Sequence, residues 1–175
     1  MTDNFHHFRV VALDLRSRKI GFAVMEGSRK LLDWGIKGCR THRDLAHVAQ
    51  KRIAPVLTLF APSVVILESA SSRKAEEPRR EIISTAIQAE VLRRSIDLVF
   101  VRKDETWGAL GKGEPINKQK IAAHIVLLFP ELTWKLPQER KPWQSEHHNM
   151  AVFDAIALAL AYWARCNISL QRDQR

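Results

Sequence analysis

Cysteine is scarce in this chain. Cys39 and Cys166 stand alone, with no CxxC spacing, which argues against a zinc site and against a fold built on disulfides. Both are read as reduced thiols of a cytoplasmic protein. Long hydrophobic runs are missing too. The longest apolar stretch, 150–164, is interrupted by Asp154 and falls short of the roughly 20 residues that span a bilayer. The opening Met1-Thr2-Asp3-Asn4-Phe5-His6-His7 has no basic segment followed by an apolar one, so it is not read as a secretory signal. Acids are in deficit: 19 Asp and Glu against 28 Lys and Arg leave a net charge of +9. Such a surface attracts polyanions, nucleic acid first, although on charge alone an anionic membrane competes. A hydrophobic share of 46% and a charged share of 27% exclude wholesale disorder and collagen. A length of 175 residues is one domain with a core of its own.

The hydrophobic pattern changes period along the chain. Phe8–Leu15, Ile20–Met25 and Leu31–Gly38 read as three strands joined by short turns, with Gly27-Ser28 and Gly38 as turn signals. From Thr41 to Phe60 the spacing becomes helical, and Pro55 leaves the end of that helix open. Ser63–Leu67 is a fully apolar fourth strand and so expected at the centre of a sheet. Helices over 76–94, 118–129 and 150–165 and a fifth strand over 97–101 complete the order βββαβαβαα. The fold class is therefore α/β: a mixed five-stranded sheet, three antiparallel strands then βα units, flanked by helices. One domain is expected over 1–166, with a frayed polar tail over 167–175. The segments 69–80 and 103–117 follow strands and carry no clear period. Ligand sites in open α/β sheets gather at such strand ends.

Three acids sit where acids are costly. Asp14 is embedded in VVALDL, Glu68 ends SVVILE and Asp154 interrupts AVFDAIALAL. A carboxylate on an apolar element needs a partner or a metal. Strands one and four are expected to be parallel neighbours, and a helix bearing Ala155, Ala157, Ala159 and Ala161 can approach the sheet closely. The three acids would then meet at one sheet end, where hard oxygen ligands suit Mg²⁺ or Mn²⁺. Taken one at a time, each has a plainer reading: a turn acid paired with arginine, a surface strand end, an acid favoured by the first turn of a helix.

These residues carry a family resemblance. Asp14-Leu15-Arg16-Ser17-Arg18-Lys19-Ile20-Gly21-Phe22 resembles the D-x-G-S-x-x-x-G-aromatic opening of RuvC-like Holliday junction resolvases, members of the RNase H-like nuclease superfamily. Pro62–Glu68 is similar to the family's fourth strand with its catalytic glutamate, and Asp154-Ala155-Ile156-Ala157-Leu158-Ala159 to its closing D-A-L-A-x-A helix. Gly111-Lys112-Gly113 and Lys118 resemble its glycine loop and basic residue. The resemblance implies an RNase H-like fold and an endonuclease of recombination and repair. It would be a homodimer that hydrolyses phosphodiesters in branched DNA. It implies two Mg²⁺ or Mn²⁺ ions per site, with Asp14 bridging them and Glu68 and Asp154 each completing one. Three positions depart from the pattern. Leu15-Arg16 replaces Pro-Gly, Ala151 stands where a further ligand is usual, and Ser69-Ala70-Ser71-Ser72 holds no aromatic wedge.

With Ala151 unable to bind metal, His147 and His148 are the expected substitutes. His147 lies two helical turns before Asp154, and His148 would reach back if the segment is a loop. The plainer reading has both merely precede the helix, with Asn149 as its N-cap. Arg73 and Lys74 belong to a basic cluster with Arg79 and Arg80, read either as a solvated loop or as phosphate contacts. Lys103, Lys112, Lys118 and Lys120 are expected on the nucleic-acid backbone, and Arg16 and Arg18 either there or in solvent. Trp107, Trp134 and Trp143 read as packing residues or loop anchors, with base stacking open to Trp107. Gly111-Lys112-Gly113 lacks P-loop spacing. Two other readings stand beside the endonuclease: a catalytically weak nucleic-acid-binding module on the same fold, and an RNase H-like nuclease that processes RNA.

Overall fold

The computed structural model describes residues 8–41, 43–69, 78–111, 117–139, 143 and 145–172. The apolar, β-branched runs form strands β1 (Arg9–Arg16), β2 (Lys19–Glu26) and β3 (Lys30–Gly38), then β4 (Val64–Glu68) and β5 (Asp97–Val101). They make one mixed sheet in the order β3-β2-β1-β4-β5. The first three strands are antiparallel, and β1–β4 and β4–β5 are parallel. This is the five-stranded RNase H-like arrangement that the sequence predicts, with strands one and four side by side.

Strand alternation sorts the core into two layers. Val10, Ala12, Val64 and Ile66 face one layer, while Val11, Leu13, Leu15, Val65 and Leu67 face the other. The second layer is covered by α1 (Leu45–Phe60) and α2 (Pro78–Arg93). The first is covered by α3 (Lys103–Gly111), α4 (Lys118–Leu128) and α5 (Met150–Arg172). Asp14 shares the parity of Val10 and so lies on the face of α5; Glu68 has the same parity on β4, but at the strand end its carboxylate turns to Arg80 on α2.

Several boundaries differ from the sequence reading. α1 starts at Leu45 rather than Thr41, because Asp44 caps it by accepting the His47 amide at 3.3 Å. It then runs through Pro55 to Phe60, its Ile53, Val56 and Leu57 all buried. The first part of 103–117, left unassigned from sequence, is α3. It has no apolar stripe to betray it, although Asp104 and Glu105 lie in its first turn where the helix dipole favours acids. α4 is capped by Asn117, which accepts the Lys120 amide at 2.9 Å, and it ends before Pro130, where a 3-10 turn (Pro130–Lys135) follows. α5 continues past Arg165 to Arg172.

The seating of α5 decides where Asp154 goes. Ala151, Ala155 and Ala159 form a fully buried stripe at helical spacing. β2 meets this stripe with Gly21, the residue paired with Asp14 across the hairpin. A Cβ added to Gly21 would lie 2.1 Å from the Ala151 carbonyl oxygen. Helix and strand therefore touch backbone to backbone beside Asp14. Among the described residues no helix is long and apolar enough to cross a membrane.

Candidate active site

Asp14 lies near the end of β1, and the last β1–β4 pair, Leu13–Leu67, directly precedes Asp14 and Glu68. Asp154 comes from the first turns of α5 on the same face. Of the expected carboxylates, Asp14 and Asp154 are drawn together by a cation. Arg16 donates through Nε to Asp14 Oδ2 at 2.5 Å and through Nη2 to Asp154 Oδ2 at 2.6 Å. Its Nη1 bonds a third carboxylate, Glu146. Lys118, at the head of α4, sits 2.7 Å from Asp154 Oδ2 and 2.7 Å from Glu146 Oε1. Glu68 is close enough for its charge to act on Asp14. Its own carboxylate lies 3.6 Å from Arg80, beside a cavity of about 240 Å³ that Leu15, Gln88 and Phe100 also line.

The side chains of Asp14 and Asp154 are only 13% and 19% exposed. Burial raises both pKa values above the ordinary aspartate range. Arg16 and Lys118 pull both back in part, while the charge of Asp14 adds to the rise at Asp154. For Glu146, burial works the same way but is outweighed by the hydrogen bonds and charges of Lys118 and Arg16, so it stays below the usual glutamate value. Burial disfavours the charged Lys118, yet Asp154 and Glu146 overcome it and hold its pKa high. Three carboxylates thus share two cations at a partly buried site. Among the described residues no three His, Cys, Asp or Glu side chains gather closely enough to hold a metal ion as they lie. Arg16 and Lys118 stand between them.

The histidines make other contacts. His147 precedes α5, where its Nδ1 accepts the Asn149 amide at 3.2 Å. The two-turn helical spacing to Asp154 does not apply, because α5 begins only at Met150. His148 faces Lys19, whose Nζ lies 3.4 Å from Nδ1 and donates to the His148 carbonyl at 3.1 Å. Burial and the charges of Lys19 and Arg40 push its pKa down. It lines an open groove of about 660 Å³ with Arg16, Arg18, Lys19 and Arg40. This groove adjoins the carboxylates through Arg16.

The remaining basic residues divide. Arg73, Lys74 and Lys112 lie outside the described residues. Arg79 is spent on structure: it donates to the carbonyls of Ser17, Cys39 and Thr41 at 2.9–3.0 Å, tying the β1–β2 turn to the exit of β3. Lys103 is exposed on α3, its ammonium 4.8 Å over the Trp107 ring, and Lys120 is exposed on α4. Trp107 packs against the α5 layer, as a packing residue should, whereas Trp134 and Trp143 are exposed. Sequence reasoning missed Glu146, Lys19 and Arg40. Glu146 had one available signal: it is the only acid between Glu139 and Asp154.

The fold has solved counterparts. The structure of RuvC from Thermus thermophilus matches with a TM-score of 0.71 at 16% identity, over 93% of this chain and 97% of that one. The same organism's RuvC in complex with a Holliday junction substrate gives 0.70 at 16% identity, over 93% and 96%. The fowlpox virus resolvase in complex with Holliday junction DNA gives 0.54 at 14% identity, over 89% and 99%. The chain therefore has the RuvC-like resolvase fold. No protein-family model matches it, and no curated protein matches it in sequence.

Proposed function

We propose that this protein is a divalent-metal-dependent endonuclease of branched DNA, with the four-way junction as its first substrate. The observation that carries the reading is the convergence of Asp14 and Asp154, with Glu68 beside Asp14, at one end of a RuvC-like sheet. The donor set fits the metal: buried, hard carboxylate oxygens, which Mg²⁺ and Mn²⁺ prefer. Asp14, Glu68 and Asp154 would hold such ions. When bound, they supply an activated water and stabilise the leaving 3′ oxygen.

The protein's own residues do the rest. Burial raises the pKa of Asp14 and of Asp154, and Arg16 and Lys118 already offset part of that cost, so a bound cation would take over their role. Arg16 and Lys118 must release those oxygens, and both then become available to the phosphate being cut. The groove of Arg16, Arg18, Lys19 and Arg40 offers contacts for the nucleic-acid backbone beside the site, and Lys103 and Lys120 are exposed on α3 and α4. Incision of two strands in one junction needs two such sites, so the acting species is a homodimer.

One observation favours a second reading, the catalytically weak binding module: Arg16 already neutralises Asp14 and Asp154, two of the three carboxylates that a metal would take. The deciding experiment is a cleavage panel of four-way junction, fork, duplex, single strand and RNA–DNA hybrid, each with Mg²⁺ and with Mn²⁺. The nuclease reading expects junction incision that depends on the metal. Tight junction binding without incision under either metal would select the binding module.

A further inference from the structure

The resembling pattern has a further ligand where this chain has Ala151. Ala151 is one helical turn before Asp154, fully buried, and rests on Gly21 opposite Asp14. Its Cβ lies 2.9 Å from where a Gly21 Cβ would be, so the contact is made by small residues on both sides and offers no oxygen ligand. The carboxylate that does reach this neighbourhood comes from the segment before α5. Glu146 shares Arg16 with Asp14 and Asp154, and shares Lys118 with Asp154. Its approach is fixed at a second point, since Lys19 on the β1–β2 hairpin holds the His148 carbonyl.

We propose that Glu146 is the metal-ligating carboxylate that replaces the absent donor at Ala151, and that Arg16 and Lys118 hold it in place until a divalent ion takes the same oxygens. Two features support this over the histidines. Glu146 is the one of the three side chains bonded to cations that also bind Asp14 and Asp154. A carboxylate is moreover a harder ligand than imidazole and so suits Mg²⁺ better. Arg16 stands where the resembling pattern has glycine, so a guanidinium occupies the Asp14 and Asp154 oxygens where that pattern offers no side chain. The inference rests on the nuclease reading.

The test is Mn²⁺ titration by calorimetry and by the loss of the free-ion electron paramagnetic resonance signal, on the full chain. The wild type is compared with Glu146→Gln, Asp154→Asn and Arg16→Gly. Asp154→Asn should lose Mn²⁺ binding. Glu146→Gln should bind at least about tenfold more weakly, at or beyond the effect of removing a supporting group. Arg16→Gly should bind more tightly than wild type, and adding Glu146→Gln to it should remove that gain. If Glu146→Gln alone is poorly folded, the comparison within the Arg16→Gly background decides. Wild-type affinity in Glu146→Gln with loss in Asp154→Asn overturns the role of Glu146 and leaves the nuclease reading standing. No Mn²⁺ binding by the wild type, or none lost in Asp154→Asn, overturns both.

Discussion

Asp14, Glu68 and Asp154 stand out in the sequence because each breaks an apolar run, and burial of a carboxylate is costly enough to demand a reason. Glu146 does not stand out, because Ser145, His147 and His148 around it are polar and a solvated acid there needs none. Its place is set by partners 130 and 28 residues away in sequence, Arg16 and Lys118, which no local pattern reports. Arg16 itself, read from sequence as a phosphate contact or solvent-facing, is seated among carboxylates. Two outcomes follow for single residues. Without metal, Arg16→Gly leaves Asp14, Glu146 and Asp154 short of a counter-charge and should melt below wild type. Added Mn²⁺ should restore most of that loss, because an ion that binds only the folded state stabilises it. His147→Ala with His148→Ala should keep metal-dependent cleavage within a few fold of wild type. Loss comparable to that of Asp14→Asn in a cleavage assay would return the histidines to the site.

At the level of elements, the strands and their pairing were legible because apolar runs of this length with short turns have few alternatives. α3 was not, since its sequence lacks the stripe by which an amphipathic helix is recognised. The contact that matters most is α5 on β2. Gly21→Ala pushes a methyl into the Ala151 carbonyl, and backbone on both sides cannot yield cheaply. It should cost about 1–3 kcal/mol or more. For a chain of this size that lowers Tm by roughly 2–4 °C per kcal/mol. An unchanged melting curve would mean that the helix does not sit this close. The opposite layer offers a titration test. Glu90, buried on α2, bonds Arg93 and Arg94, and Arg94 reaches Thr58 on α1. The hydrogen bond from Arg93 leads the causes that hold Glu90 below its ordinary value of 4.5, with burial opposing. A carboxylate whose folded pKa is lowered stabilises the fold above the unfolded value and loses that contribution as pH falls through the folded one. Glu90→Gln should therefore melt below wild type at neutral pH, with the gap closing as pH drops beneath 4.5. A gap that persists in acid would assign the effect to packing instead.

For the whole molecule, the net charge of +9 predicts a polyanion partner but not where it would lie. Arg18 and Lys19 at the β1–β2 turn and Arg40 after β3 bring charge to one groove beside the carboxylates. Replacing all three by alanine should weaken junction and duplex binding alike. It should also flatten the dependence of log K on log salt by about 2 to 3. An unchanged slope in a binding titration across salt concentrations would place the nucleic acid elsewhere. The central claim is narrower: that Asp14 belongs to a metal site which cuts a DNA junction. The most direct measurement is the single-turnover incision rate of a synthetic four-way junction with Mn²⁺, for wild type and for Asp14→Asn, alongside their junction affinities. The account predicts incision by the wild type, a fall of roughly 10⁴-fold in the variant, and undiminished binding by both. Equal rates in the two proteins would contradict it.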